Sequence, residues 1–313
     1  MDGPVVVTGA TGFLGGHIVD ALLAAGHRVR AVVRSPARAL RLEESGVEVR
    51  EANLESVGAL TDAFDGASAV VSNAALGSWA GSLERYRQVN IMGTQNLLDA
   101  MTAVGVDRLV HISSVAVGQT RTRSWIDEFP ARYGRDGRRG PWQVSDLTTD
   151  WRYAVSKSVA EDRIRAHRPS IGATILRPGP VFGAGDPKLT RRYLRMWRSP
   201  ICVAPTAGVP QVAAPDVARA VGAALSRSES VGRTYVLAGP PTSPYAVMQT
   251  LKRLTGRGPV LIPLPTPTWV GFMTHRATRD LGFVSRPLAV GLAAVLEAEG
   301  IAVRPGSGLL GGM

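Results

Sequence analysis

The chain has 313 residues, of which 45% are hydrophobic and 19% charged, a profile typical of a globular protein. Every apolar run is shorter than the ~20 residues of a membrane-spanning helix, so we expect no membrane partner. The first predicted strand begins at Val5, so we expect no signal peptide before it. The single cysteine, Cys202, excludes an internal disulfide, and no cysteine or histidine has metal-ligand spacing. We therefore expect a cytoplasmic protein without a metal site.

The net charge of +11 raises the question of a nucleic-acid partner. The positive charge is nearly all arginine and is scattered along the chain. The sequence has no basic tail, zinc-ligand spacing or aromatic-basic RNA motif. We therefore expect no nucleic-acid partner, and the excess charge is compatible with affinity for a phosphate-bearing cofactor.

The first element is a short apolar run, Val5–Val7, which predicts a buried parallel strand. Glycines follow at positions 9, 12 and 15, and an apolar stripe with helical spacing begins directly after them. Glycines on a strand-to-helix turn let a pyrophosphate approach the backbone, and the helix N-terminus favours the anion. A structural tight turn would use glycine as well, but the strand–turn–helix context favours a dinucleotide site.

The second predicted strand, 29–33, ends at Arg34, with Arg38 one helical turn later. In dinucleotide-binding folds the residue at this point faces the adenosine ribose. A carboxylate there would bind the 2′-hydroxyl of NAD, whereas a guanidinium suits the 2′-phosphate of NADP. Arg34 therefore favours NADP(H) over NAD(H), unless it is a solvated surface arginine.

Strands and helices alternate through the first half of the chain. Strands are predicted at 47–50, 69–72, 108–112 and 172–177, and helices at 56–64, 83–104 and 152–167. This alternation predicts an α/β fold, a doubly wound parallel Rossmann sheet, whose ligand crevice lies beyond the carboxyl ends of the strands. Arg34, Asn73 and Ser114 all fall at those ends.

The second half of the chain is less regular and predicts a smaller mixed α/β region. We predict a dinucleotide-binding Rossmann domain over residues 1–178 and a substrate-binding region over 179–313, with the chain returning to the sheet near 209–238. Residues 118–150 interrupt the alternation with arginines and aromatic residues. Long loops of this kind are often functional, so a substrate flap and a solvated surface loop are both open readings.

Tyr153 and Lys157 lie four residues apart in a predicted helix, which puts them on the same helical face. A phenol with a pKa of ~10 exchanges protons poorly at neutral pH, and a neighbouring ammonium would lower that pKa. The pair is therefore a candidate acid/base site, although tyrosine and lysine often occur at this spacing by chance.

Several motifs together resemble the extended short-chain dehydrogenase/reductase family, within the NAD-dependent epimerase/dehydratase superfamily. Residues 8–15 (TGATGFLG) match its cofactor fingerprint. Later matches follow in the family's order: Val89-Asn90 with 93–98, Ser113-Ser114, Tyr153 with Lys157, and Arg177-Pro178 with 181–183. The resemblance covers about residues 5–300. The arginine at position 34 resembles the pattern of the family's reductase branch, which includes dihydroflavonol-reductase-like and 3β-hydroxysteroid-dehydrogenase-like proteins.

The resemblance implies a role for each matching residue. Tyr153 would be the general acid/base, Lys157 would lower its pKa and bind the nicotinamide ribose, and Ser114 would bind the same substrate oxygen. Asn90 would support this catalytic group. Asn53 stands where the family has aspartate before Leu54, and its amide can still bind adenine. The cofactor-binding positions implied in this way are Gly9, Thr11, Gly12, Phe13, Leu14, Gly15, Arg34, Asn53, Leu54, Asn73, Ala74, Ala75, Lys157, Pro178 and Val181.

Departures from the family's patterns narrow the expected activity. Ser114-Val115-Ala116 lacks the carboxylate of the family's dehydratases, and Val117-Gly118 lacks a tyrosine common in its epimerases. We expect an NADP(H)-dependent oxidoreductase that interconverts a small-molecule carbonyl and an alcohol. A nucleotide-sugar epimerase is the alternative, in which the arginines at 191–198 would bind the diphosphate unless they are a solvated helix face. A non-catalytic dinucleotide-binding regulator is a third hypothesis. The resemblance also implies a homodimer that pairs the helices at about 83–104 and 152–167.

Overall fold

A computed structural model describes residues 3–78, 80–118, 150–167, 170–266 and 271–305, together with the backbone of 125–126. The strands of these residues are β1 (Val5–Thr8), β2 (Val29–Val33), β3 (Glu48–Glu51), β4 (Ala69–Ser72), β5 (Arg108–Ile112), β6 (Trp125–Ile126), β7 (Gly172–Pro178), β8 (Val181–Phe182), β9 (Ile201–Pro205), β10 (Val209–Pro210), β11 (Val212–Ala213), β12 (Thr234–Leu237), β13 (Pro241–Thr242), β14 (Val260–Leu264) and β15 (Gly271–Phe272). The helices are α1 (Phe13–Ala24), α2 (Leu40–Glu44), α3 (Val57–Phe64), α4 (Leu83–Tyr86), α5 (Gly93–Ala103), α6 (Trp151–Ala166), α7 (Leu189–Trp197), α8 (Ala214–Ser226), α9 (Pro244–Thr255), α10 (His275–Leu281) and α11 (Leu288–Ala298).

Seven strands form one parallel sheet in the order β12-β7-β5-β4-β1-β2-β3. The strand order reverses beside β1, which is where doubly wound sheets open a ligand crevice. The predicted Rossmann-like α/β class is confirmed. The predicted flap or surface loop at 118–150 lies outside the described residues, apart from its two ends and β6.

Both faces of the sheet are covered at its centre, which explains why β1 and β4 are buried along their whole length and almost entirely apolar. Alternate residues of β1 point to opposite faces, so Val5 and Val7 join one core cluster and Val6 joins the other. Helices α1 and α8 pack on the first face, and α3, α5 and α6 on the second. Burial on both sides holds the carboxyl ends of the strands in fixed positions.

The strand β12 comes from the second half of the chain and pairs in parallel with β7. The segments that precede and follow β12 in the sequence form a third core cluster between α7, α9 and α11. The short parallel pair β9 and β14 packs on this cluster. The division of the chain at residue 178 stays a prediction. Within the described residues, no helix is both long enough and apolar enough to span a bilayer.

The region predicted as one helix at 83–104 contains a change of winding. Between α4 and α5, residues Arg87–Met92 form a π-helical segment. Such wide turns often occur at functional sites, because the extra residue turns a side chain out of the regular helical stripe. Here the segment contains the buried Asn90.

Candidate functional site

The turn between β1 and α1 forms a cradle that only glycine fits. Gly9 has a φ of +67°, and a Cβ on it would lie 2.9 Å from the Ala74 backbone. A Cβ on Gly15 would lie 2.0 Å from the carbonyl oxygen of Gly9. Gly12 and Thr11 are exposed, and α1 begins directly after them at Phe13 and Leu14. The close backbone and the free helix N-terminus fit the pyrophosphate of a dinucleotide.

The Thr8 hydroxyl ties this cradle to the end of β4. Its oxygen accepts hydrogen bonds from the backbone N–H groups of Asn73 and Ala74, both at 3.1 Å. The Asn73 side chain donates to the Gly9 carbonyl at 3.3 Å. The predicted Asn73, Ala74 and neighbouring Ala75 therefore lie beside the glycine turn, at the carboxyl edge of the sheet.

The residues predicted to hold the adenosine half lie along the same edge. Arg34 is exposed directly after β2, and so is Arg38 in the 3₁₀ turn that follows. Within the part of the chain that the structure describes, neither guanidinium has a carboxylate partner. The Asn53 side-chain oxygen accepts from the Glu55 N–H at 2.8 Å, and Leu54 packs beside Gly93. Both exposed guanidinium groups are therefore placed to bind an anionic group of a ligand at this point.

Ser114 and Tyr153 form a pair of hydroxyl groups beyond the end of β5. The Ser114 hydroxyl, directly after this strand, accepts a hydrogen bond from the Ala116 N–H at 3.2 Å. Tyr153 lies in the first turn of α6. Burial raises the pKa of Tyr153, and the Ser114 hydrogen bond opposes this rise only in part. The direction is opposite to the sequence expectation, so the phenol holds its proton at neutral pH.

Lys157 contacts the backbone of β5 and is almost fully buried. Its Nζ donates to the carbonyl of Ile112 at 2.8 Å. Ile112 is the last residue of β5 and directly precedes Ser113 and Ser114. Burial lowers the pKa of Lys157 to about 8, and the negative charge of Glu161 opposes that fall. The sequence placed Tyr153 and Lys157 on one helical face, and the structure anchors Lys157 at the end of β5.

Glu161, one turn after Lys157, is a residue that the sequence reasoning missed. It is fully buried and accepts from Arg177 at 2.7 and 2.9 Å, from Arg165 at 2.6 Å and from the Ser113 hydroxyl at 2.5 Å. Burial alone would raise the pKa of Glu161, but the Arg177 guanidinium holds it below its ordinary value. This network joins α6, β5 and β7 directly behind the serine–tyrosine pair.

Asp150 and Tyr86 form a second missed group, at the start of α6. The Asp150 side chain caps the helix by accepting from the Arg152 N–H at 3.2 Å. The Tyr86 hydroxyl donates to Asp150 at 2.8 Å, and the Tyr86 ring lies 6.2 Å from that of Tyr153. Burial, together with this carboxylate, raises the pKa of Tyr86 to about 12. Both groups help to orient the turn that carries Tyr153.

Asn90 links the segment around Leu76 to helix α6 through hydrogen bonds. Its side chain accepts from the Leu76 N–H at 2.7 Å and donates to the Leu76 carbonyl at 3.1 Å and the Ser156 hydroxyl at 2.9 Å. Ser156 in turn donates to the Tyr153 carbonyl at 2.8 Å. Asn90 therefore acts through other residues, and among its described contacts none is with the hydroxyl pair.

A cavity of about 390 Å³ lies at the same carboxyl edge, at its β12 end. Pro178 closes β7, Val181 opens β8, and Phe272 packs between the cavity and Val115, the neighbour of Ser114. No charged residue is among the described residues of its lining, which are Pro210, Ala238, Gly239, Pro240, Pro241, Gly271, Phe272, Thr274, Thr278, Phe283, Val284 and Ser285. The edge therefore runs from the glycine cradle through the hydroxyl pair to a mostly apolar cavity.

The part of the chain that the structure describes contains no group of three or more histidine, cysteine, aspartate or glutamate side chains that could hold a metal ion. The chemical groups at the carboxyl edge are instead a phenol, a hydroxyl and an ammonium. These groups can bind an oxygen atom and exchange a proton with it.

Comparisons with known proteins identify the family of the chain. The model of the NAD dependent epimerase/dehydratase family matches residues 5–238. The 2-alkyl-3-oxoalkanoate reductase of Stenotrophomonas maltophilia is 35% identical over 60% of this chain and 54% of its own length. The ceramide reductase of Caulobacter vibrioides is 29% identical over 94% of this chain and 84% of its own length. The matched stretch thus spans only about half the length of the first relative.

Among solved structures, UDP-glucuronic acid 4-epimerase from Bacillus cereus in complex with NAD has the same fold, with a TM-score of 0.77. It is 22% identical, and the match covers 94% of this chain and 98% of that one. The resemblance inferred from the sequence is confirmed, and the matching family, which is described as NAD dependent, supports a nicotinamide dinucleotide as the cofactor. The chain is a member of the NAD dependent epimerase/dehydratase family.

Proposed function

We propose that the protein is an NADP(H)-dependent oxidoreductase that reduces a carbonyl group to an alcohol. The observation that carries the proposal is the hydroxyl pair of Ser114 and Tyr153, which lies at the carboxyl edge that also holds the glycine cradle. A carbonyl oxygen between two hydroxyl donors is positioned and polarised for addition.

Tyr153 is the proton donor in this reaction. Burial raises its pKa, so the phenol is protonated at neutral pH and can protonate the substrate oxygen as negative charge develops there. Ser114 holds the same oxygen, and Lys157 adds a positive charge at the end of β5. The dinucleotide, when bound, supplies the hydride to the carbonyl carbon.

The cavity, whose described lining contains no charged side chain, supports a neutral, largely apolar substrate. A nucleotide sugar carries a diphosphate, which needs cationic partners where it is buried, and the described lining offers hydroxyl groups and apolar surface. Two relatives are named for the reduction of 2-alkyl-3-oxoalkanoate and ceramide. Both observations favour a carbonyl substrate with an apolar portion.

Replacement of Tyr153 by phenylalanine tests the proposed chemistry. Tyr153→Phe removes the proton donor but leaves the ring, so we expect turnover to fall by about a hundredfold or more. NADPH affinity should change little, because the glycine cradle and Arg34 are untouched. The measurement is NADPH oxidation with a panel of carbonyl compounds, beside a titration of NADPH binding by fluorescence.

Tyr245→Phe is the matched control, since Tyr245 lies on α9 against the third core cluster. It should keep the wild-type rate. If Tyr153→Phe also keeps most of its rate, the assigned chemistry is wrong.

The epimerase alternative differs in its use of the cofactor. An epimerase restores its cofactor in every cycle, so it would retain bound dinucleotide and consume no NADPH. Stoichiometric NADPH loss with a carbonyl substrate supports reduction, and turnover of a nucleotide sugar without that loss supports epimerisation. Cofactor binding without any turnover in the panel would favour a non-catalytic regulator.

A further inference from the structure

The parallel strands β9 and β14 expose an apolar face. Along β9 the residues alternate, with Ile201 and Val203 being 57% and 55% exposed while Cys202 and Ala204 are buried. On β14, Val260, Ile262 and Leu264 are 62%, 46% and 47% exposed. Scattered exposed aliphatic residues are ordinary, but five on two neighbouring strands are not.

The strand register places these five side chains on one surface. Val260 pairs with Ile201 and Ile262 with Val203, and paired residues of a parallel sheet point to the same side. The opposite side of the sheet packs into the third core cluster through Cys202 and Ala204. The exposed face, defined by Ile201, Val203, Val260, Ile262 and Leu264, is therefore a fixed surface of the fold.

The helices α7 and α9, which pack into the same core cluster as β9, carry positive charge and no aspartate or glutamate. Helix α7, which leads into β9, buries Tyr193, Leu194 and Trp197 and exposes four arginines on its other side: Arg191, Arg192, Arg195 and Arg198. Among the described residues none of these four has a carboxylate partner. The sequence contains no aspartate or glutamate at 187–215 or at 230–279, the stretches that carry α7, β9, α9 and β14.

Two arginines lie close to one end of the apolar face, where both strands begin. Both strands run in the same direction, so they begin side by side, shortly after Arg198 and Arg257. Arg257 packs over the Trp197 ring at 5.2 Å from its centroid, which holds a cation beside the start of β14. An aliphatic surface flanked by fixed cations matches the boundary between the acyl chains and anionic headgroups of a membrane.

We propose that this face docks the protein peripherally on an anionic lipid surface. The aliphatic residues enter the acyl boundary, and the arginines of α7 lie among the headgroups. Nucleic acid would use the cations but not the aliphatic strands, and a second copy of this chain would bring the same cations against one another. The proposal departs from the expectation of no membrane partner, which was argued only from the lack of a membrane-spanning segment. The proposal is independent of the proposed reaction.

Vesicle co-sedimentation of the full chain tests the proposal. The probes are vesicles of phosphatidylcholine alone and vesicles that also contain phosphatidylglycerol, each at low and high ionic strength. We expect binding to the anionic vesicles, weakened by salt, and much weaker binding to the neutral ones. The triple variant Val203→Thr, Val260→Thr, Ile262→Thr keeps β-branched side chains, and it should bind about tenfold more weakly. The double variant Arg195→Gln, Arg198→Gln should also lose about tenfold.

Val57→Thr and Arg41→Gln are the matched controls, because both residues are exposed on the Rossmann sheet's side of the molecule. Each should bind as the wild type does, and thermal unfolding checks that every variant is folded. Failure of the wild type to bind anionic vesicles overturns the proposal, and so does binding that survives the threonine substitutions. Light scattering that shows a dimer broken by those same substitutions would assign the face to a second copy instead.

Discussion

Arg34 lies where a doubly wound fold selects between its two nicotinamide cofactors. Its guanidinium is exposed at the end of β2, so a 2′-phosphate could take two charge-assisted hydrogen bonds from it. We expect Arg34→Ala to weaken NADPH binding by about tenfold or more and to leave NADH binding nearly unchanged. Fluorescence titration with both cofactors measures this difference.

The control for Arg34 is Arg41→Ala, an exposed arginine on α2. It should bind both cofactors as the wild type does. Equal losses of NADPH and NADH affinity in Arg34→Ala would contradict a role in reading the 2′-phosphate.

His111 gives a residue-level prediction about pH. It is buried in β5 beside the Ser72 hydroxyl, and burial, followed by the positive charges of Lys157 and Arg165, lowers its pKa well below 6.5. The unfolded chain therefore binds a proton at this histidine as the pH falls through 6.5, while the folded chain does not. We expect the free energy of unfolding to fall between about pH 7 and pH 5, and His111→Gln to make that fall less steep.

Urea unfolding at several pH values measures the slope for each variant. His275→Gln at an exposed position of α10 is the control and should keep the wild-type slope. An unchanged slope in His111→Gln would show that this histidine does not cause the loss of stability in acid.

At the scale of single residues, the sequence predicted those site residues that belong to a local pattern. Tyr153 and Lys157 follow from helical spacing, and Ser114 from its place after a strand. Glu161 and Asp150 were missed because their partners, Arg177 and Tyr86, are distant in sequence. One signal was available, since an arginine inside the apolar strand 172–178 must have a buried anionic partner.

At the scale of elements, the packing of α1 on β1 depends on Gly15, because only a residue without a Cβ fits there. A Cβ on Gly15 would lie 2.0 Å from the Gly9 carbonyl oxygen, so Gly15→Ala must push the helix away from the turn. We expect this variant to lose at least tenfold in NADPH affinity, because the helix N-terminus and the cradle separate. Isothermal titration with NADPH gives the affinity.

The neighbouring glycine is the matched control. A Cβ on Gly16 meets no atom within 4 Å, and Gly16 lies inside α1. Gly16→Ala should keep NADPH affinity and stabilise the fold by up to about 1 kcal/mol through helix propensity. A Gly15→Ala protein that binds NADPH normally would show that the close approach is not needed.

The strands of the central sheet were predicted to within about one residue because burial on both faces makes the central ones rich in β-branched apolar residues, as in β1 and β4. The π-helical segment at 87–92 could not be predicted in this way. Its extra residue shifts the helical stripe, and periodicity over 83–104 averages the shift away. The cause lies in tertiary contacts of Asn90 with Leu76 and Ser156, which no local pattern encodes.

At the scale of the whole molecule, a homodimer stays a prediction. The expected interface pairs the helices at about 83–104 and 152–167 with their copies, and Leu83 and Met92 are 50% and 37% exposed there. Light scattering at micromolar concentration should give twice the chain mass. Arginine at both positions, Leu83→Arg with Met92→Arg, should give the single chain mass, and a wild type that is monomeric would remove the prediction.

The region after residue 178 that lies outside the seven-stranded sheet was the least predictable part of the molecule. Its strands are short, and several pair with segments far away in sequence, as β9 does with β14. Hydrophobic pattern could show that residues 201–205 and 260–264 are extended, but not that they meet. The cavity was likewise out of reach, because its lining comes from four separate stretches of the chain.

The late arrival of β12 has a consequence for the growing polypeptide. Until residue 237 has emerged from the ribosome, β7 has no neighbour on its outer side, and its backbone amides and carbonyls on that side are open to other chains. The nascent Rossmann sheet thus has an unpaired edge strand, β7, which can pair with other chains until β12 pairs with it. Slow translation between residues 178 and 237 would prolong that exposure and favour aggregation over folding.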